Sequence, residues 1–200
     1  MRVYRRAAAV LCLLLSVFLL GACQSPCSSQ PAAGFLRYLP STGLGFRLQF
    51  DHPAEWMPGL SENPDKRLTF EKPDPYNPGR NVLVLVALAP VEQYSRIMSG
   101  GKLDSDQDWG DPFPSQPDKL VTRKEITIDG HPALKISIDF GTPMVLKDPG
   151  PVNSWGYMEN VFLLVEDDIY DIKFFASDLG EEARLRKQFD RLLKSMCVLP

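Results

Sequence analysis

Beyond one apolar run at Ala7–Leu20, interrupted by Ser16 alone, the apolar positions of this chain recur mostly with a period of two, the signature of half-buried strands. Phe46-Arg47-Leu48-Gln49-Phe50 alternates in this way and predicts a strand, which Asp51-His52-Pro53-Ala54-Glu55-Trp56 ends because proline cannot donate to a ladder. Arg67 to Phe70 predicts a short strand, broken by the proline-rich stretch Lys72 to Gly79. Val82 to Leu88 is apolar at both parities and predicts a central strand covered on both faces. Val91 to Met98 reads as a short helix ended by Gly100-Gly101. Residues 100–118 are rich in glycine, proline and aspartate and read as a long loop.

The second half is clearer. Glu125–Ile128, Asp129-Gly130 and Ala133–Phe140 form a hairpin signal, since Asp-Gly supplies the positive φ angles of a tight turn. Residues 141–155 hold three prolines and read as another loop. Tyr157–Val165 and Ile169–Ala176 predict a further strand pair around Glu166-Asp167-Asp168. Glu181 to Met196 closes the chain as an amphipathic helix, with Ala183, Leu185, Phe189, Leu192, Leu193 and Met196 near one face. Asp178 is the N-cap candidate, and Glu181 and Glu182 favour the first turn. Consecutive hairpins and a final helix predict an α+β domain: a mainly antiparallel sheet covered by helices. The domain takes residues 43–200, and residues 23–42 form a linker whose first dozen residues are small and polar.

The N-terminus changes the picture of where the chain resides. Arg2, Arg5 and Arg6 precede the apolar run, and Leu20-Gly21-Ala22-Cys23 follows or closes it. Residues 1–22 thereby resemble a bacterial lipoprotein signal peptide. The run is short of the roughly 20 residues a spanning helix needs. The resemblance implies cleavage before Cys23 and acylation of that cysteine, palmitate included, so that the membrane is a partner through the anchor. Gln24 rather than Asp at the next position resembles an outer-membrane address facing the periplasm in a Gram-negative cell. In a Gram-positive cell the site would be the outer face of the cytoplasmic membrane.

Three arginines and no acidic residue leave with the signal, so 19 basic residues face 25 acidic ones and the net charge moves from −3 to −6. That balance argues against nonspecific nucleic-acid binding and against a polybasic grip on lipid. Cys12 lies in the signal and Cys23 at the lipid site, which leaves Cys27 and Cys197. In an oxidising compartment these can bridge each other, remain free thiols, or pair with another chain.

Candidate chemistry is sparse. The chain has two histidines, His52 and His131, each at a turn before proline, and no nucleophile–base pattern, P-loop or zinc cluster. No catalytic residue and no resident cofactor are expected. Asp104, Asp106, Asp108 and Asp111 space carboxylates as at the start of a calcium loop. Gly110 falls one position late and Ser115 stands where the bidentate glutamate belongs, so a solvated acidic loop is the first reading and calcium the alternative. Trp109, Phe113 and Trp155 lie in the two long loops and are candidates for a partner surface.

Gly45-Phe46-Arg47-Leu48-Gln49-Phe50-Asp51-His52-Pro53-Ala54-Glu55-Trp56 resembles the opening of PsbP-like domains, whose superfamily includes Mog1 and several bacterial lipoproteins. The hairpin around Asp-Gly-His-Pro-Ala and the closing helix extend the resemblance over roughly residues 43–200. His52 adds one residue before Pro53 relative to that pattern. The resemblance implies a Mog1/PsbP-like α/β/α sandwich, with Trp56 plugging the sheet edge, and no common enzymatic activity. The expectation is a membrane-anchored cell-envelope lipoprotein that binds an unidentified envelope protein in assembly or maintenance of a complex. The alternative is a ligand-binding module for calcium or for a small apolar molecule between sheet and helix.

Overall fold

The computed structural model describes residues 27, 30–40, 45–59, 67–73, 81–99, 102–103, 119–145, 154–176 and 182–200. Every strand pairing among them is antiparallel. The main sheet contains β3 (Met57–Gly59), β4 (Arg67–Pro73), β5 (Asn81–Pro90), β8 (Leu120–Ile128), β9 (His131–Val145), β10 (Ser154–Val165) and β11 (Asp168–Ala176). Its order is β3-β4-β5-β11-β10-β9-β8. A smaller sheet of order β1-β2-β12 joins β1 (Phe35–Tyr38), β2 (Leu48–Pro53) and β12 (Cys197–Val198). The predicted α+β class with a mainly antiparallel sheet is the observed one.

Turn chemistry explains the best-defined hairpin. Ile128 pairs with His131 across two residues, Asp129 and Gly130, whose φ angles are 48° and 81°. Two positive φ values in succession are what Asp-Gly tolerates and most residues do not. In the next hairpin Val165 pairs with Asp168, so the turn is Glu166-Asp167 and Asp168 already belongs to the strand.

One face of the main sheet is closed by α1 (Glu182–Ser195) together with the small sheet. Leu185, Phe189, Leu192 and Leu193 pack there on Val161, Ile172 and Phe174, with Phe189 stacked on Phe174 at 4.7 Å between centroids. Trp56 is buried in this core and stacks toward Phe174, as a plug at the β3 end. The opposite face carries Leu134, Ile136, Ile138, Phe162 and Ile169, covered by Ile97 and Leu103.

Several boundaries depart from the sequence reading. The short helix expected over Val91–Met98 is a 3-10 helix at Val91–Ile97, with Tyr94 at φ −114°. Seven residues are too few to propagate an α-helix alone, and Tyr94 is drawn to the sheet, where its hydroxyl donates to Asp171 Oδ2 at 3.1 Å. Met98–Ser99 (β6) then pairs with Lys102–Leu103 (β7). β2 continues through Asp51 and His52 and ends on Pro53, whose missing N–H costs least at a strand terminus. Phe35–Tyr38, placed in the linker by its surroundings, is strand β1 on β2. The loop expected over 141–155 is strand at both ends, because β9 runs to Val145 and β10 begins at Ser154. Asp178 lies outside the described residues.

Candidate functional site

Of the residues singled out from the sequence, Cys23, Asp104, Asp106, Asp108, Trp109, Asp111 and Phe113 lie outside the described residues. Trp155 belongs to β10 rather than to a loop, opposite Met144 of β9. Cys27 and Cys197 are joined as a disulfide with their Cα atoms 5.6 Å apart, within the usual span. The carbonyl of Cys27 accepts from Gln49 Nε2 at 3.0 Å and from Arg37 at 3.2 Å, and Arg37 forks onto Asp51 at 2.8 and 3.3 Å. The Asp129 carboxylate lies beside the two sulfurs and accepts from the Val198 amide at 2.8 Å. Bonded to each other, the sulfurs have no thiolate to offer a metal. That contact also places the β8–β9 turn against the disulfide.

Away from the staple, the α1 face of the sheet opens at its β8 end. Alternation puts Thr122, Lys124, Ile126 and Ile128 of β8 on this face, opposite Ser137, Lys135, Ala133 and His131 of β9. Asp190, Leu193 and Lys194, at i, i+3 and i+4 of α1, form the other wall. The cleft between them has a volume of about 450 Å³.

Its floor is charged. Lys135 Nζ lies 2.7 Å from Glu159 Oε2 and 2.9 Å from Asp190 Oδ1. Glu159 is only 3% exposed. Burial pulls the Lys135 pKa down, but the bonds to Glu159 and Asp190 outweigh it, so the ammonium is held above its ordinary value. Ser137 Oγ donates weakly to Glu159 at 3.4 Å, and the Tyr157 hydroxyl donates to the same carboxylate oxygen. Burial first, and that bond second, raise the Tyr157 pKa well above the ordinary phenol. Arg186 lies over the Tyr157 ring at 3.3 Å. By contrast Lys124 and Lys194 make no ion pair among the described residues.

The histidines are turn and core residues. His52 is 6% exposed, tilts onto Phe70 at 4.5 Å, and shares a 2.9 Å Nδ1 contact with the Pro53 carbonyl. His131 opens β9. The cleft groups are cations, hydroxyls and carboxylates, an arrangement suited to holding an anion. The sequence reading missed Lys135, Glu159 and Asp190. The available signal was Lys135 inside the apolar run Ala133–Phe140, which also holds Asp139, and Glu159 alone inside Tyr157–Val165.

No family model matches the chain, and no curated protein matches its sequence. Similar solved structures include cyanobacterial PsbP from Synechocystis, with 14% identity and a TM-score of 0.47 over 87% of this chain and 99% of that one. They include the Ran-binding protein Mog1p of Saccharomyces cerevisiae, with 11% identity and a TM-score of 0.49 over 84% and 97%. A third is LpqN, a protein involved in cell envelope biogenesis of Mycobacterium tuberculosis, with 10% identity and a TM-score of 0.48 over 83% and 92%. These are likenesses of fold, and the PsbP and Mog1 names read from the Gly45–Trp56 segment recur among them.

Proposed function

We propose that the protein is a non-enzymatic binding module of the cell envelope, held at a membrane by acyl chains on Cys23 and docking a partner protein on strand β8. The observation that supports docking is the β8 edge itself. It is nine residues long, ends the main sheet among the described residues, and has no proline. Its first six residues are all exposed, Leu120 at 67% and Val121 at 37%. Such an edge offers backbone donors and acceptors for one more strand. Arg123 and Lys124 make no ion pair among the described residues, so the fitting occupant is an extended acidic segment of another envelope protein.

The staple supports a membrane-side position. Three residues separate Cys23 from Cys27, so the four steps span at most about 14 Å of extended chain. With Cys27 bonded to Cys197, and Asp129 bonded to the Val198 amide, the turn end of β8 would lie nearest the bilayer. The edge would then rise from the membrane surface, where a membrane-bound partner can reach it.

A photo-crosslinking amino acid at Leu120 of the full-length protein, in its own cells, tests the reading. The expected result is one discrete adduct in the membrane fraction, weakened by Arg123→Glu with Lys124→Glu and lost with Cys23→Ser. No discrete adduct at any exposed β8 position contradicts it.

A further inference from the structure

We infer that the cleft between α1 and β8 is a binding site for an anionic amphiphile, a molecule with a carboxylate or phosphate head on an apolar chain. The cleft is graded along its length. Thr122 to Ile128 spans roughly 20 Å at strand rise. Thr122, Lys124, Lys135 and Ser137 make one end polar and cationic, while Ile126, Ile128 and Leu193 make the other apolar. A volume of about 450 Å³ is in the range that small-molecule sites occupy.

Three lysines and two carboxylates meet here, an excess of one positive charge, with Lys124 and Lys194 exposed at the mouth. Lys124 stands directly opposite Lys135 in the β8–β9 register, and like charges directly opposite destabilise a sheet. Lys135 is already balanced by Glu159 and Asp190. Lys124 and Lys194 bring two further cations with no carboxylate of their own among the described residues. A rule broken locally without structural gain marks a functional position. An anionic head between Lys124 and Lys194 relieves the repulsion and shares the Lys135 ammonium with Asp190. The chain is acidic overall, so this concentration of positive charge is against its composition.

The inference concerns the helix-facing side of β8 and not its backbone edge; it shares Lys124 with the docking proposal, whereas Lys194 and Asp190 belong to the cleft alone and separate the two tests. Fluorescent dansyl-undecanoic acid is the probe, with lauric acid, dodecyl phosphate and dodecanol as competitors of equal chain length. The expected result is saturable binding, displaced by the acid or the phosphate at least about tenfold better than by the alcohol. Preference between acid and phosphate identifies the head group. Lys124→Glu with Lys194→Glu should weaken probe binding by at least about tenfold, and Asp190→Asn should tighten it. Thr122→Trp, which fills the polar end, should abolish it. Circular dichroism of each variant establishes that it is folded. Equal displacement by alcohol and anions, or unchanged binding in the folded double variant, overturns the inference.

Discussion

The two edges of the main sheet are built differently. At one end β3 is three residues long, contains Pro58, and has Gly59 where a Cβ would collide with Thr69 Oγ1. Glu55 beside it holds Arg184 at 3.0 Å, Gln188 at 3.1 Å and Lys72 at 3.5 Å, which ties this end to α1 and β4. Shortness, proline and charge are the usual ways of blunting an edge. At the other end β8 is three times as long, without proline, exposed along its first six residues, and flanked by a cleft in which Lys124 and Lys194 make no ion pair among the described residues. The contrast between the two edges among the described residues is what the proposed docking on β8 rests on.

The largest expected effect concerns the frame that carries both edges. Cys27→Ala with Cys197→Ala reopens a loop of 170 residues, and loop-closure entropy sets the loss at up to about 5 kcal/mol in urea unfolding. If the edges differ for the reason given, a folded double variant still crosslinks from β8 when lipid-anchored.

Next comes the foundation of the open end. Lys135→Met leaves Glu159 buried without its cation and should cost about 3–5 kcal/mol, while adding Glu159→Leu should recover most of that loss. A double variant as unstable as the single would show that the pair is not the unit assumed here.

A smaller effect belongs to the closed end, where His52 packs on Phe70 of β4. Burial lowers the His52 pKa, against the weaker upward pulls of the Pro53 carbonyl and Asp51. Its folded pKa is below the unfolded value of about 6.5, so the unfolded chain binds the proton more readily. Stability should therefore fall as pH drops through about 6.5, and His52→Gln should flatten that part of the profile. A wild-type unfolding midpoint that does not change between pH 7.5 and pH 5.5, values about one unit either side of that pKa, contradicts the assignment.

The smallest effect separates ligand chemistry from folding. Lys124→Thr removes a like-charge pair and should leave stability unchanged or raise it by roughly 0.2–1 kcal/mol, measured by urea titration. A clear loss would mean that Lys124 supports the fold rather than the cleft.

Much of this architecture was legible in sequence, and the rest failed for physical reasons. Asp129-Gly130 announces its turn because few residue pairs adopt two positive φ angles. Val82–Leu88 announces a central strand because it is apolar at both parities. β1 and β12 were not legible, since four and two residues carry too little pattern and owe their pairing to β2. The short helix at Val91–Ile97 was legible, but its 3-10 type was not, because the tertiary pull on Tyr94 leaves no local trace. Two remaining cysteines made a bridge one of three readings, and only the fold brings them together. The charged cleft floor was hidden for a similar reason. Lys135, Glu159 and Asp190 are distant in sequence and meet only through the β9–β10 register and the placement of α1.

The most direct measurement places the same photo-crosslinker at Leu120 on β8 and, separately, at Met57 on β3, in the full-length protein in intact cells. Both positions are exposed, at 67% and 57%, so accessibility is comparable. A discrete membrane-fraction adduct is expected from Leu120 and none from Met57. The same adduct from both positions, or an adduct from Met57 alone, contradicts it.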